Sequence, residues 1–163
     1  MKFNYYLTML ATAMAVMFGF CSCGDDDDEP EVAVATQVAG SYTGNEIITV
    51  MGEESSNGTA TYEFVKSTDN TIDMTIPESG EMGNMSIPKL LVKNIPLVKS
   101  DNTISGKVAS FTGTVTNAAG AEKAFSISNI TVLFNGKNAV VTFSLKYGNM
   151  PMSMETTFTG TKN

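Results

Sequence analysis

Histidine, tryptophan and arginine are all missing from the 163 residues. Without histidine the chain lacks the commonest general base and zinc ligand, and without arginine it cannot clamp phosphate or carboxylate bidentately. Most hydrolase and metalloenzyme chemistries lose their usual residues at once. Cysteine occurs only twice, at Cys21 and Cys23, so no disulfide framework can hold the body. Positive charge is scarce too: 10 basic against 17 acidic residues leave a formal charge of −7, which argues against a basic nucleic-acid surface. What is present is ordinary globular material, 42% hydrophobic and 17% charged, in a length that suits one domain.

The first segment reads as an address. One lysine, Lys2, precedes an uncharged run from Tyr5 to Phe20 that ends in the small residues Cys21-Ser22-Cys23-Gly24. This is the pattern of a secretory signal peptide, and sixteen residues is short for a membrane-spanning helix. The boundary Phe20-Cys21-Ser22-Cys23 resembles a bacterial lipobox, which implies that Cys23 is lipidated and becomes the first mature residue. Ser22 supplies the small residue before that cysteine, where Phe20 before Cys21 is too bulky. The run Asp25-Asp26-Asp27-Asp28-Glu29 is similar to the acidic export signal that certain Gram-negative bacteria place behind a lipidated cysteine. It implies an outer-membrane, lipid-anchored protein facing the cell exterior, tied to the membrane through Cys23.

Residues 1–22 are therefore read as signal, 23–37 as a lipidated acidic tether and 38–163 as the folded domain. Fully extended, the stretch from Gly24 to Gln37 could reach roughly 45–50 Å. It also holds six of the acids, leaving eleven against nine lysines in the body. The low isoelectric point belongs to the tether, not to the domain.

After Gln37 no stretch keeps a helical apolar period for three turns. Short alternating runs recur instead, at about 40–51, 58–66, 70–77, 84–98, 103–116, 122–134, 138–147 and 151–161. Ile72, Met74 and Ile76 share one parity, as do Ala139, Val141, Phe143, Leu145 and Tyr147, and as do Met150, Met152, Met154 and Phe158. Asp73, Glu155 and Thr157 fall on the opposite, wet face. In the sixth run Phe125 and Ile127 are odd while Ile130, Val132 and Phe134 are even, which predicts a bulge near Ser128-Asn129. Asp69-Asn70, Asp101-Asn102, Asn117 to Gly120, Asn135-Gly136 and Gly148-Asn149 supply turns between neighbouring runs. Pro88 and Pro96 mark the fourth run as an edge, bent or broken strand. Val65 to Ile72 echoes Val98 to Ile104, as expected of two hairpins with one turn solution. Eight such strands can close as an all-β, antiparallel up-and-down barrel, with a two-sheet sandwich as the alternative.

Val38-Ala39-Gly40-Ser41-Tyr42-Thr43-Gly44, the Asp-Asn-Thr-Ile turns, Val92-Lys93-Asn94-Ile95-Pro96-Leu97 and Phe158-Thr159-Gly160-Thr161 together resemble the calycin-like barrel domains of bacterial surface lipoproteins. The resemblance covers nearly the whole body and implies a lipocalin-like shape. In lipocalins a Gly-x-Trp near the first strand closes the barrel base beneath a late arginine. Gly40-Ser41-Tyr42 could take the first role, with tyrosine where the signature has tryptophan; the arginine is missing.

Chemistry-bearing residues are few. Met150, Met152 and Met154 alternate as a strand does, which explains their spacing without a Cu(I) site, and no metal or other cofactor is expected. Thioethers and aromatic rings suit a deformable apolar wall, so Tyr62, Met74, Met152 and Met154 are the candidate ligand-binding residues, expected inside the barrel near one another. Glu46 shares parity with Tyr42 and Ile48. One inward acid could orient a polar ligand group, but does not make the carboxylate pair of glycoside hydrolysis. The chain is read as a non-enzymatic surface lipoprotein whose barrel takes a small apolar or amphipathic ligand. The alternatives are a packed barrel that docks on another cell-surface protein and, last, a hydrolase. No nucleic-acid partner is expected.

Overall fold

The computed structural model describes residues 32–82 and 85–163; the leader, Cys23 and the acid run Asp25 to Asp28 lie outside the described residues. A short helix, α1 (Val34–Val38), leads into β1 (Gly40–Val50), β2 (Glu53–Thr68), β3 (Thr71–Ile76), β4 (Ser79–Met82), β5 (Met85–Ile87), β6 (Leu90–Ser100), β7 (Thr103–Thr116), β8 (Glu122–Asn135), β9 (Asn138–Tyr147) and β10 (Met154–Lys162). Eight of these strands close a barrel in the order β1-β10-β9-β8-β7-β6-β3-β2, antiparallel throughout, while β4 and β5 pair with each other as a separate small hairpin. The expected all-β, eight-stranded antiparallel barrel is therefore the architecture, and the sandwich is not.

Alternation decides which side chains fill it. Along β9, Ala139, Val141, Phe143, Leu145 and Tyr147 are all buried, and along β10 Met154, Thr156, Phe158 and Gly160 alternate with exposed Glu155, Thr157 and Thr159. Ile72, Met74 and Ile76 of β3 are buried, with half-buried Asp73 between the first two. In β8 the register slips between Ser128 and Thr131, and Asn129 adopts a left-handed φ of 55°. The extra residue lets Phe125 and Ile127 on one side of it and Ile130, Val132 and Phe134 on the other all face inward. A second bulge in β6 works the same way. Asn94 sits at φ 57°, its N–H donates to Asp73 Oδ1 at 2.8 Å, and Val92 and Ile95 both stay buried.

The run 84–98 is broken at Pro88, in line with its prolines: β5 ends at Ile87 and β6 begins at Leu90, whereas Pro96 is kept inside β6 just before its pairing with β7 begins at Leu97. Two features depart from the sequence reading. Strand β2 starts at Glu53 rather than near 58, because Glu53 to Thr59 need no buried face; they are exposed on both sides and held by β1 alone. Residues 34–37, read as part of the tether, belong to α1, whose Ala35 is buried and donates its N–H to the Asp69 carbonyl at 3.0 Å.

That helix closes one end of the barrel. Val38 and Ala35 pack onto a trio of rings from three strands: Tyr42 lies 5.4 Å from Phe64 and 5.5 Å from Phe134, and the two phenylalanines are 5.0 Å apart, with edge-on or tilted contacts. The Tyr42 hydroxyl donates to the Val38 carbonyl at 3.1 Å. Lys162, from the last strand, places its ammonium 6.0 Å from the Tyr42 ring centre and donates to the Gln37 carbonyl at 3.2 Å. The late cation over the base ring is thus present as a lysine. Gly40 makes room for it, since a Cβ there would stand 2.7 Å from Lys162 Cε.

The opposite end carries the β1–β2, β7–β8 and β9–β10 turns. Toward it the wall is incomplete: β6 pairs with β7 only over Leu97–Ser100 and Thr103–Gly106, so β7 from Lys107 onward pairs with β8 alone. The excursion between β3 and β6 adjoins both free edges. Pro77 to Ser79 share a cleft with Ser56 to Thr61 of β2, and Ser86 shares one with Asn117 to Ala119 beyond β7.

Candidate functional site

The interior is filled by side chains. Tyr42, Tyr62, Phe64, Phe134, Phe158, Ile72, Met74, Ile95 and Ile127 are all fully buried, and the two strands that meet at Gly106 come so close that a Cβ there would lie 2.6 Å from the Pro96 carbonyl oxygen. Burying each large apolar side chain contributes about 1.5–3 kcal/mol, so this packing is the main source of stability.

Of the four candidate ligand residues, the structure brings three into that interior. Tyr62 stacks on Phe158 with ring centres 4.2 Å apart, Met74 stands between Phe64 of β2 and Val92 of β6, and Met154 lies between Val50 and Leu145. Met152 is outside: it is 39% exposed. The expectation that all four line one internal space is corrected on this point. Parity holds only within a strand, and β10 begins at Met154, after a bend containing Pro151 and Met152.

An ionisable group also faces the interior, Glu46. It points inward from β1, opposite Phe158 on one side and Gly58 on the other, and accepts a hydrogen bond from the Tyr62 hydroxyl. Burial raises the Glu46 carboxyl above the ordinary carboxylate range, and the Tyr62 hydrogen bond opposes that shift. Burial also pushes the Tyr62 phenol well above its usual value, with the charge of Glu46 and their hydrogen bond adding to it. Glu46 itself reaches a polar cleft of about 230 Å³ whose wall includes Gly58, Thr59, Pro77 and Glu78. Glu78 Oε1 accepts from Ser86 at 3.1 Å. Such an arrangement can take a hydrogen bond from a ligand hydroxyl or ammonium group. Among the described residues no three carboxylate, cysteine or histidine groups gather into a metal site.

Two further clefts lie at the open end. One, of about 410 Å³, runs between the β1–β2 turn and the start of β10 and is edged by Met51, Pro151 and Met152, with Lys146 and Glu155 beside them. Met51 is 79% exposed, so two thioethers stand in water on adjoining turns. The other, of about 580 Å³, separates the β7–β8 turn from the β9–β10 turn and is lined by Ala118, Ala119, Lys123, Tyr147, Met150 and Pro151, among others. Sequence reasoning singled out neither Met51 nor Lys123. Met51 lies just past a strand end and Lys123 in an ordinary alternating run; the closing β1–β10 pair sets the first beside the β9–β10 turn, and the β8–β9 pair sets the second there.

A family model described as the calycin-like beta-barrel domain matches residues 38–161. Among solved structures, the crystal structure of a putative outer membrane protein from Bacteroides fragilis is similar, with a TM-score of 0.63 at 18% identity over 80% of this chain. The match takes in 53% of that protein, so this chain spans about half its length. No curated protein matches.

Proposed function

From the chain's membership of the calycin-like β-barrel domain family, matched over residues 38–161, we propose that it is a non-enzymatic, lipid-anchored protein of the outer cell surface that binds a small apolar or amphipathic ligand at the open end of its barrel. The observation that carries this reading is the exposed lip of Met51, Pro151 and Met152 on the turns of that end, above an interior already packed with side chains. Flexible thioethers adapt to varied apolar shapes, and two of them edging one cleft offer such a shape a deformable wall. The described body begins at Val32 and closes its other end with α1, so the end carrying the lip is the one that faces away from where the chain enters. Lipidation at Cys23 and export directed by Asp25, Asp26, Asp27 and Asp28 would set that end outward.

A neutral solvatochromic dye such as Nile red tests the ligand reading. Uptake by the parent protein and its loss in Met51→Ser/Met152→Ser, with the melting temperature unchanged, is the expected result. Uptake unaffected by the double change overturns it. Anchoring is tested separately. Cys23→Ala should release the protein from membranes, and replacing Asp25 to Asp28 by alanine should leave it lipidated yet protected from external protease.

The packed interior also favours a second reading, a docking module for another cell-surface protein. Absence of any dye uptake, with cross-linking from position 51 or 152 to a neighbouring surface protein, would replace the first reading by this one.

A further inference from the structure

Tyr147 ends β9 as the last inward residue of the strand, and only 4% of it is exposed. Its hydroxyl oxygen is fully covered and has no hydrogen-bond partner among the described residues. Buried hydroxyls are nearly always satisfied, because an unmade hydrogen bond forfeits the hydration that the group had in the unfolded chain. Phenylalanine would fill the same space without that loss. The other interior tyrosines do have partners, Val38 for Tyr42 and Glu46 for Tyr62.

Tyr147 forms part of the wall of the 580 Å³ cleft, and Lys123 lies beside it. The lysine stem runs along Gly148, where a Cβ would stand 3.8 Å from Lys123 Cδ. Lys66 and Asp69 form the ion pair found among the described residues, which leaves Lys123 without a carboxylate partner there. The same wall continues as Met150, Pro151, Ala118 and Ala119, an apolar surface adjoining one cation and one phenol.

On the open-end reading, on which this rests, we propose that the cleft binds a small amphipathic acid. Its carboxylate is held by the Lys123 ammonium and the Tyr147 hydroxyl, and its chain lies along Met150 and Pro151. The cleft offers one positive charge, that of Lys123, which matches a monoanion; a phosphate dianion would call for more. Reaching the covered hydroxyl requires the carboxylate to seat into the floor, and the unbranched Met150 side chain can give way to admit it.

The test is calorimetric titration of the mature chain carrying Cys23→Ala with decanoate and, separately, with decanol, which shares the apolar chain but lacks the charge. Decanoate should bind at least tenfold more tightly at neutral pH. Lys123→Met and Tyr147→Phe should each weaken decanoate about five- to tenfold and leave decanol unchanged. Tyr147→Phe should also keep or raise the melting temperature without ligand, which a tyrosine held by structural hydrogen bonds would not do. Equal affinity for the two probes, or decanoate binding that neither variant weakens, overturns this proposal while leaving the open-end reading standing. Failure of both probes to bind overturns both.

Discussion

Replacing Tyr62 by phenylalanine isolates one interaction inside the barrel. The ring keeps its stack on Phe158, 4.2 Å away, and its burial, so the change removes only the hydroxyl that donates to Glu46. A hydrogen bond to an ionised acceptor contributes about 1.5–3 kcal/mol, against about 0.5–1.5 kcal/mol for a neutral pair. Tyr62→Phe should therefore cost about 2 kcal/mol near pH 8, with a fall in melting temperature of about 5–10 °C, and distinctly less once Glu46 is protonated. The direction follows from linkage. Burial raises the Glu46 carboxyl in the folded state above its unfolded value, so its contribution to stability is fully present below the ordinary carboxylate range and is lost as pH rises through the folded pKa. Tyr62 is the partner that lowers that pKa, and its loss should push the carboxyl higher and steepen the decline. Glu46→Gln, which cannot ionise, should flatten the profile, exceed the parent in stability at neutral pH, and shrink the cost of adding Tyr62→Phe. Urea unfolding followed by circular dichroism between pH 4.5 and 8 measures all four proteins. A Tyr62→Phe cost that is the same at both ends of that range, or undiminished in the Glu46→Gln background, would refute the reasoning.

Gly106→Val should destabilise strongly, beyond the usual 1–3 kcal/mol of an overpacked core, because its Cβ alone meets the Pro96 carbonyl at 2.6 Å and the Ile95 and Val132 methyls at 2.9 Å; denaturant melts check it. Met154→Ala should cost about 2–5 kcal/mol as a core truncation, whereas Met152→Ala at the exposed lip should stay within about 0.5 kcal/mol. Deleting Asn129 should prevent folding, since it removes the residue that keeps Ile130, Val132 and Phe134 inward, while Asn129→Gly should fold normally at its φ of 55°; amide spectra distinguish the two.

Much of the barrel could be read wherever one face is dry and the other wet. The runs at 103–116, 122–134 and 138–147 end within a residue of β7, β8 and β9, because Val, Ile and Phe that pack on the core, buried or partly so, alternate there with Ser, Thr and Lys. Parity even located the slip at Asn129. It failed where pattern and burial part company. Glu53 to Asn57 form a strand with no apolar face, and Met152 keeps the alternation of β10 while lying just outside it. The helix α1 is five residues, too short to show an apolar period, and its partners, the Asp69–Asn70 turn and the base rings, come from distant parts of the chain. Lys162 over Tyr42 was missed because an arginine was the expected cation. At the candidate sites, Glu46 was legible as an inward acid, but its partner Tyr62 was not, since register across β1 and β2 sets Tyr62 against Tyr42 rather than Glu46. The uncompensated Tyr147 hydroxyl appears only when every neighbour is in place.

Strand β1 has a mechanical consequence. It is the first strand after the chain enters the barrel, and it is bonded on both sides, to β10 from Tyr42 to Val50 and to β2 along its full length. A pull on the segment before Val32 that is resisted at the far turns loads those two ladders along the strand direction, so their hydrogen bonds must yield together rather than open one after another like a zip. Tension therefore passes from the entry point through β1 into its two neighbours. A barrel held this way can bear drag on whatever it carries and keep its shape, its lifetime under load being set by the unfolding rate rather than by its equilibrium stability.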